Sequence, residues 1–156
     1  MRKAFFLAIL VAVAAAIGVS TTGAATSSAT AKTVVVSTRR LPKLGMVLVN
    51  SKGLTLYMFV PDKQKKVTCV GSCAAVWPPL KLPAGAKPVA RRQAKAKLLG
   101  SDPNPAGGRV VTYNKWPLYT YVADTKPGIA TGQALKLNGG LWYVLAPSGK
   151  VIKTKP

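Results

Sequence analysis

From Gly45 onward the chain alternates short apolar runs with turn-forming clusters, the pattern of strands rather than helices. Gly45-Met46-Val47-Leu48-Val49 reads as one strand, Asn50-Ser51-Lys52-Gly53 as a turn, and Leu54 through Val60 as a second strand. The expected unit is a hairpin with a loop of about four residues, Gly53 supplying the positive φ such loops need. Alternation in the second strand sets Tyr57 and Phe59 on one face and Leu56 and Met58 on the other. Both faces are apolar, so this strand is expected to be covered on both sides. Arg109 to Tyr113, a turn at Asn114-Lys115 and Trp116 to Val122 repeat the plan. Tyr143 to Ile152 closes the chain with a strand, a turn containing Gly149 and a strand. Between the two units, Val89 to Leu99 is rich in Ala, Lys and Arg and is either one short basic helix or a loop.

The two units share letters as well as a plan. Leu56-Tyr57-Met58-Phe59-Val60-Pro61-Asp62 returns sixty-two positions later as Leu118-Tyr119-Thr120-Tyr121-Val122-Ala123-Asp124. Trp77 follows Asp62 by 15 positions and Trp142 follows Asp124 by 18, so each copy runs on to an aromatic closing residue, with Trp116 a third candidate for that role. The expected fold is mainly β: two tandem repeats of antiparallel hairpins in one small domain over 44–152. Repeat one covers 44–80, a basic linker 81–100 and repeat two 101–152.

Composition adds an address. Met1-Arg2-Lys3 precedes an uncharged apolar run, Ala4 to Val19, and then small residues to Ala31; residues 1–25 read as a signal peptide cleaved between 25 and 31. Sixteen apolar residues fall short of the roughly 20 a helical span needs, so no transmembrane span is expected after cleavage. Residues 26–43 read as a flexible spacer in which Val34-Val35-Val36 could join an edge strand. The protein is expected outside the cytoplasm, secreted or at the cell envelope, where two cysteines more often pair than stay free.

Without Arg2 and Lys3 the chain keeps 21 basic residues against 3 acidic ones. Such an excess points to anionic neighbours, an envelope polymer or lipid. The basic seam, with Arg91, Arg92, Lys95 and Lys97, is the candidate polyanion contact. Specific nucleic-acid recognition is not expected, because no recognition-helix pattern and no basic stripe interleaved with aromatics is present.

The chain has no histidine, which excludes Ser-His-Asp and Cys-His catalysis and His-based metal or haem ligation. No metal site and no cofactor are implied. Asp62 and Asp124 have three readings: a cap on the loop leaving the strand, an acceptor for a Tyr hydroxyl or Trp indole of the other copy, or a carboxylate pair facing a ligand cleft lined by Tyr57, Phe59, Tyr119 and Tyr121. Asp102, in Ser101-Asp102-Pro103-Asn104-Pro105, reads as a turn residue. Cys69 and Cys73 are read as a small structural disulfide, against a redox dithiol.

These blocks resemble the bacterial "secreted repeat of unknown function" family, small exported proteins and predicted lipoproteins with a Tyr-x-aromatic-x-x-Asp motif. The motif stands at Tyr57 to Asp62 and at Tyr119 to Asp124; Cys69 to Leu80 resembles the family's Cys-x-Gly-x-Cys-Ala-x-x-Trp-Pro-Pro-Leu block, and Val111 to Tyr119 and Trp142-Tyr143-Val144 match two further runs. Lys115 and Ala134 stand where the family commonly has Gly, which argues against a type I′ turn at Asn114-Lys115, and the lipoprotein Cys is missing. The resemblance implies an exported module and no settled activity. The reading is a non-catalytic binding or structural module; the alternatives are a polyanion-binding protein (wall polymer, anionic lipid or nucleic acid) acting through its lysine-rich surface, and a thiol/redox or electron-transfer accessory through Cys69 and Cys73.

Overall fold

A computed structural model describes residues 32–63 and 66–155. The expected signal peptide over residues 1–25 and its expected cleavage region lie outside the described residues. Among the described residues, ten strands and one short α-helix follow in order: β1 Thr33–Leu41, β2 Gly45–Asn50, β3 Tyr57–Phe59, α1 Ser72–Val76, β4 Lys81–Leu82, β5 Lys87–Ala90, β6 Leu99–Pro103, β7 Arg109–Tyr113, β8 Trp116–Pro117, β9 Lys136–Leu137 and β10 Gly140–Val144. The fold is mainly β, as the alternation predicts.

Two expectations are corrected. The supposed spacer contains a nine-residue strand, β1, at the centre of a sheet ordered β2-β1-β5. Its β-branched run Val34-Val35-Val36 pairs parallel with Pro88 to Ala90, and Val36 to Leu41 pair antiparallel with β2, so it is no edge strand. The seam at Val89–Leu99 forms the end of β5 and a 3-10 turn over Ala96–Leu98. The helix stands instead inside the first repeat, just after Gly71.

The turns behave as read, with one reversal. Gly53 takes φ +78, Asn50 N–H donates to Leu54 O and Leu56 N–H to Leu48 O, closing the first hairpin. Asn114 and Lys115 both take positive φ, 48° and 67°, as a type I′ turn requires, despite the lysine. Ala134 likewise adopts φ 57, where an L residue is strained and glycine would not be.

Strand alternation divides the interior in two. Val47, Val49, Tyr57, Phe59, Tyr119, Trp142 and Val144 enter one core cluster; Leu48, Leu56, Met58, Leu118 and Leu145 enter the other. β3 is buried at every position, the covering on both faces that its sequence implies.

The repeats exchange partners. β3 of the first copy pairs with β10 of the second, Trp142 opposite Phe59 and Val144 opposite Tyr57. Conversely Thr120 N–H donates to Pro78 O, Val122 N–H to Val76 O and Leu80 N–H to Leu118 O, so the closing segment of the first copy runs beside the motif strand of the second. At the centre Tyr57 N–H donates to Tyr119 O at 2.8 Å and Tyr119 N–H to Tyr57 O at 2.9 Å. This reciprocity is what a self-complementary two-fold contact gives, here inside one chain.

Candidate functional site

The two motif segments meet at this centre through the bridge between Tyr57 and Tyr119, and their side chains repeat the exchange. Tyr57 Oη–H donates to Asp124 Oδ2 at 2.5 Å and Tyr119 Oη–H to Asp62 Oδ2 at 2.6 Å. The remaining carboxylate oxygens are held within their own copy: Thr68 N–H and Oγ1–H donate to Asp62 Oδ1, and Thr131 N–H and Oγ1–H donate to Asp124 Oδ1. Each Asp therefore does two things the sequence offers as alternatives. It organises the loop that leaves its strand, and it accepts the tyrosine hydroxyl of the other copy.

Asp62 is 0% and Asp124 3% exposed. Burial pushes the Asp62 carboxyl above its ordinary value, while hydrogen bonds from Tyr119 and Thr68 act in the opposite direction. Tyr57 and Tyr119 are raised far above the ordinary tyrosine value, first by burial, then by the neighbouring carboxylate. A buried neutral hydroxyl facing a carboxylate is a strong, charge-assisted donor.

The aromatic residues of the motif stack rather than line a cleft. Tyr121, Trp77, Trp142 and Phe59 form a column with centroid spacings of 4.1, 3.9 and 4.1 Å, the two indoles lying within 4° of parallel at its middle. Tyr57 meets Trp77 edge-on and Tyr119 meets Trp142 edge-on. The column again alternates between copies. Trp116 stands apart from it on β8, half-buried against the other core cluster. Gly132 lies against the column: a Cβ there would sit 2.6 Å from the Trp77 ring.

Cys69 and Cys73 are joined as a disulfide with Cα atoms 5.2 Å apart, and Cys69 is buried. The bridge spans the start of α1, whose end is closed by Trp77 N–H donating to Cys73 O. It thus fixes where Trp77 enters the column. Among the described residues no cluster of three or more Cys, Asp or Glu side chains is placed to hold a metal ion.

A second locus is polar and open. A groove of about 1020 Å³ is bounded by β1, the turn after β2 and the turn after β5, and is lined by Arg39, Arg40, Lys52, Arg91 and Arg92 with no acidic side chain. Of the seam residues named from the sequence, Arg91 and Arg92 reach this groove. Lys95 and Lys97 are exposed elsewhere on the seam, the Lys95 N–H donating to Tyr113 Oη. Arg39, Arg40 and Lys52 were not legible as partners of Arg91 and Arg92, since the parallel β1–β5 pairing that joins them leaves no local signal. Thr68 and Thr131 could have been found from their positions six and seven residues after the repeated Asp, but the one-residue difference hides the correspondence. Gln133 is a third omission. Its side chain accepts from Val144 N–H and donates to Ile152 O and Thr154 O, tying down the C-terminal segment.

A family model described as "Secreted repeat of unknown function" matches the chain twice, over residues 38–81 and 103–146. The two matches cover more than half of the chain, which belongs to that family and is an extracytoplasmic protein. Comparisons with curated proteins and with solved structures return no match. No helix among the described residues is long and apolar enough to cross a membrane.

Proposed function

We propose that this member of the secreted-repeat family is a non-catalytic binding module, exported by a signal peptide over residues 1–25, whose partner is an anionic envelope polymer. The observation that carries the reading is how the fold sorts its charge. Asp62, Asp102 and Asp124 are 0%, 9% and 3% exposed and are the only acidic residues of the chain, while Arg39, Arg40, Arg91, Arg92, Lys95 and Lys97 are all exposed. The surface therefore carries cations with almost no carboxylate to offset them, which raises the local concentration of any polyanion. Lack of catalysis is supported by the absence of histidine and by the engagement of both motif carboxylates with hydroxyl and amide donors.

Chromatography on an immobilised anionic polymer tests this. Retention beyond about 0.5 M salt is the expected result; elution near the physiological ~0.15 M would reduce the charge to a solubility feature.

A further inference from the structure

Diffuse charge does not explain where the arginines are. The chain beyond the leader has five, Arg39, Arg40, Arg91, Arg92 and Arg109, and its other basic residues are lysines. Four of the five line the one groove. The fifth, Arg109, spends its guanidinium on Ser101, through Nε–H to Oγ and through Nη2–H to the backbone carbonyl. Among the described residues the side chains of Arg39, Arg40 and Arg92 make no hydrogen bond or ion pair, so three of the four guanidinium groups lining the groove are unspent, while Arg91 donates through Nη1–H to its neighbour Ala90 O at 3.3 Å. A guanidinium offers paired donors that match the oxygens of a phosphate; an ammonium is a point charge.

The backbone around these arginines points the same way. Val36 pairs with Ala90 in the parallel register, and Arg91 N–H donates to Val36 O, which sets the Arg91-Arg92 turn beside the second half of β1. β5 covers this edge of β1 only at 33–36, leaving Ser37 to Arg40 without a strand on that side. Arg92 takes φ 56, a left-handed conformation that costs a bulky L residue roughly 1–2 kcal/mol and that Gly would adopt freely. Ser37, Thr38, Asn50 and Gln93 add neutral polar groups, and Val35 and Val49 an apolar floor. The volume exceeds what one phosphate fills.

We propose that this groove is a binding site for a flexible phosphodiester polymer, whose successive phosphates are gripped by Arg39, Arg40, Arg91 and Arg92. The inference rests on the anionic-polymer reading above and assigns it a place and a chemistry. A concave, arginine-lined groove takes a threaded chain; a lipid surface would meet a flat cationic face instead.

The test uses a soluble poly(glycerol phosphate), polyglutamate as a carboxylate polyanion, and phosphatidylglycerol vesicles as probes. Three proteins are compared: the parent, a variant carrying R39K, R40K, R91K and R92K, and a variant carrying K136Q, K150Q, K153Q and K155Q, exposed lysines outside the groove lining. All three should give the same far-ultraviolet circular dichroism. The arginine-to-lysine variant keeps the full charge, yet it is expected to lose ~10- to 100-fold in affinity for poly(glycerol phosphate), the size of losing one or two bidentate contacts, and to bind polyglutamate like the parent. The lysine-to-glutamine variant should weaken both polymers by a similar, smaller factor. Unchanged poly(glycerol phosphate) binding by the arginine-to-lysine variant would overturn the groove and leave diffuse attraction standing. Vesicle binding by the parent without polymer binding would overturn the polymer assignment. Failure of the parent to bind either polyanion would remove the underlying reading as well.

Discussion

At the residue scale, the motif tyrosines and aspartates are coupled across the repeat. Tyr57 reaches Asp124 and Tyr119 reaches Asp62, so a hydroxyl deleted from one copy leaves a buried carboxylate of the other short of a donor. Tyr57→Phe and Tyr119→Phe should each cost about 1.5–3 kcal/mol in urea unfolding, the range for a hydrogen bond to a charged group. Similar costs for the two are expected because the two contacts are near copies. The same pairs set the alkaline limit of the fold. Both tyrosines have folded pKa values raised above the ordinary 10.0, so the folded state keeps protons that the unfolded chain gives up. Their contribution is whole below pH 10 and falls as pH rises above it, by about 1.4 kcal/mol per pH unit for each tyrosine. Tyrosinate absorbance for these two groups should appear only together with loss of the near-ultraviolet dichroism of the indole column. Smooth ionisation at pH 10 in the folded protein would contradict this.

At the element scale, the loop between Asp124 and β9 shows how closely conformation is fitted to the column. Gly132→Ala would press a methyl into Trp77 and should destabilise by about 1–3 kcal/mol as overpacking. Two residues on, Ala134→Gly should change stability the other way, by up to about 1 kcal/mol, because it relieves a left-handed alanine. Thermal or urea unfolding of the two variants reads both signs.

The same elements show what the sequence makes legible. Period-two apolar alternation at Leu56–Phe59 gives strand and both faces correctly, because each face is decided by neighbours in the sheet that any buried strand would have. The turns at Gly53 and Gly149 follow from backbone need for positive φ. β1 is hidden because Ser37, Thr38, Arg39 and Arg40 lack an apolar rhythm, and long-range pairing with β2 and β5 makes them a strand. At Asn114-Lys115 tertiary pairing of β7 with β8 overrides the lysine's dislike of positive φ. That a buried tyrosine needs an acceptor, and that the repeated Asp of the other copy could be one, is readable from chemistry; that this role and the loop-capping role are filled together depends on the exchange of strands, which adjacent sequence does not encode.

At the scale of the whole molecule, the protein resembles an interlocked pair of repeats more than two beads on a chain. The first copy's closing segment completes the second copy's motif strand, the second copy's β10 completes the first copy's β3, and the indoles of both meet in one column. The acidic residues end up inside this joint or nearly buried beside it, and the cations are left outside. Internal architecture and the cationic exterior are thus two consequences of one arrangement. Its most direct test is to divide the chain at the exposed turn between Ala84 and Gly85 and to express the halves separately and together. Trp77 falls in one half and Trp142 in the other, so near-ultraviolet circular dichroism reports the joint itself. Each half alone should lack that signal and any cooperative unfolding, and an equimolar mixture should regain both; a half that folds cooperatively by itself would contradict the exchange.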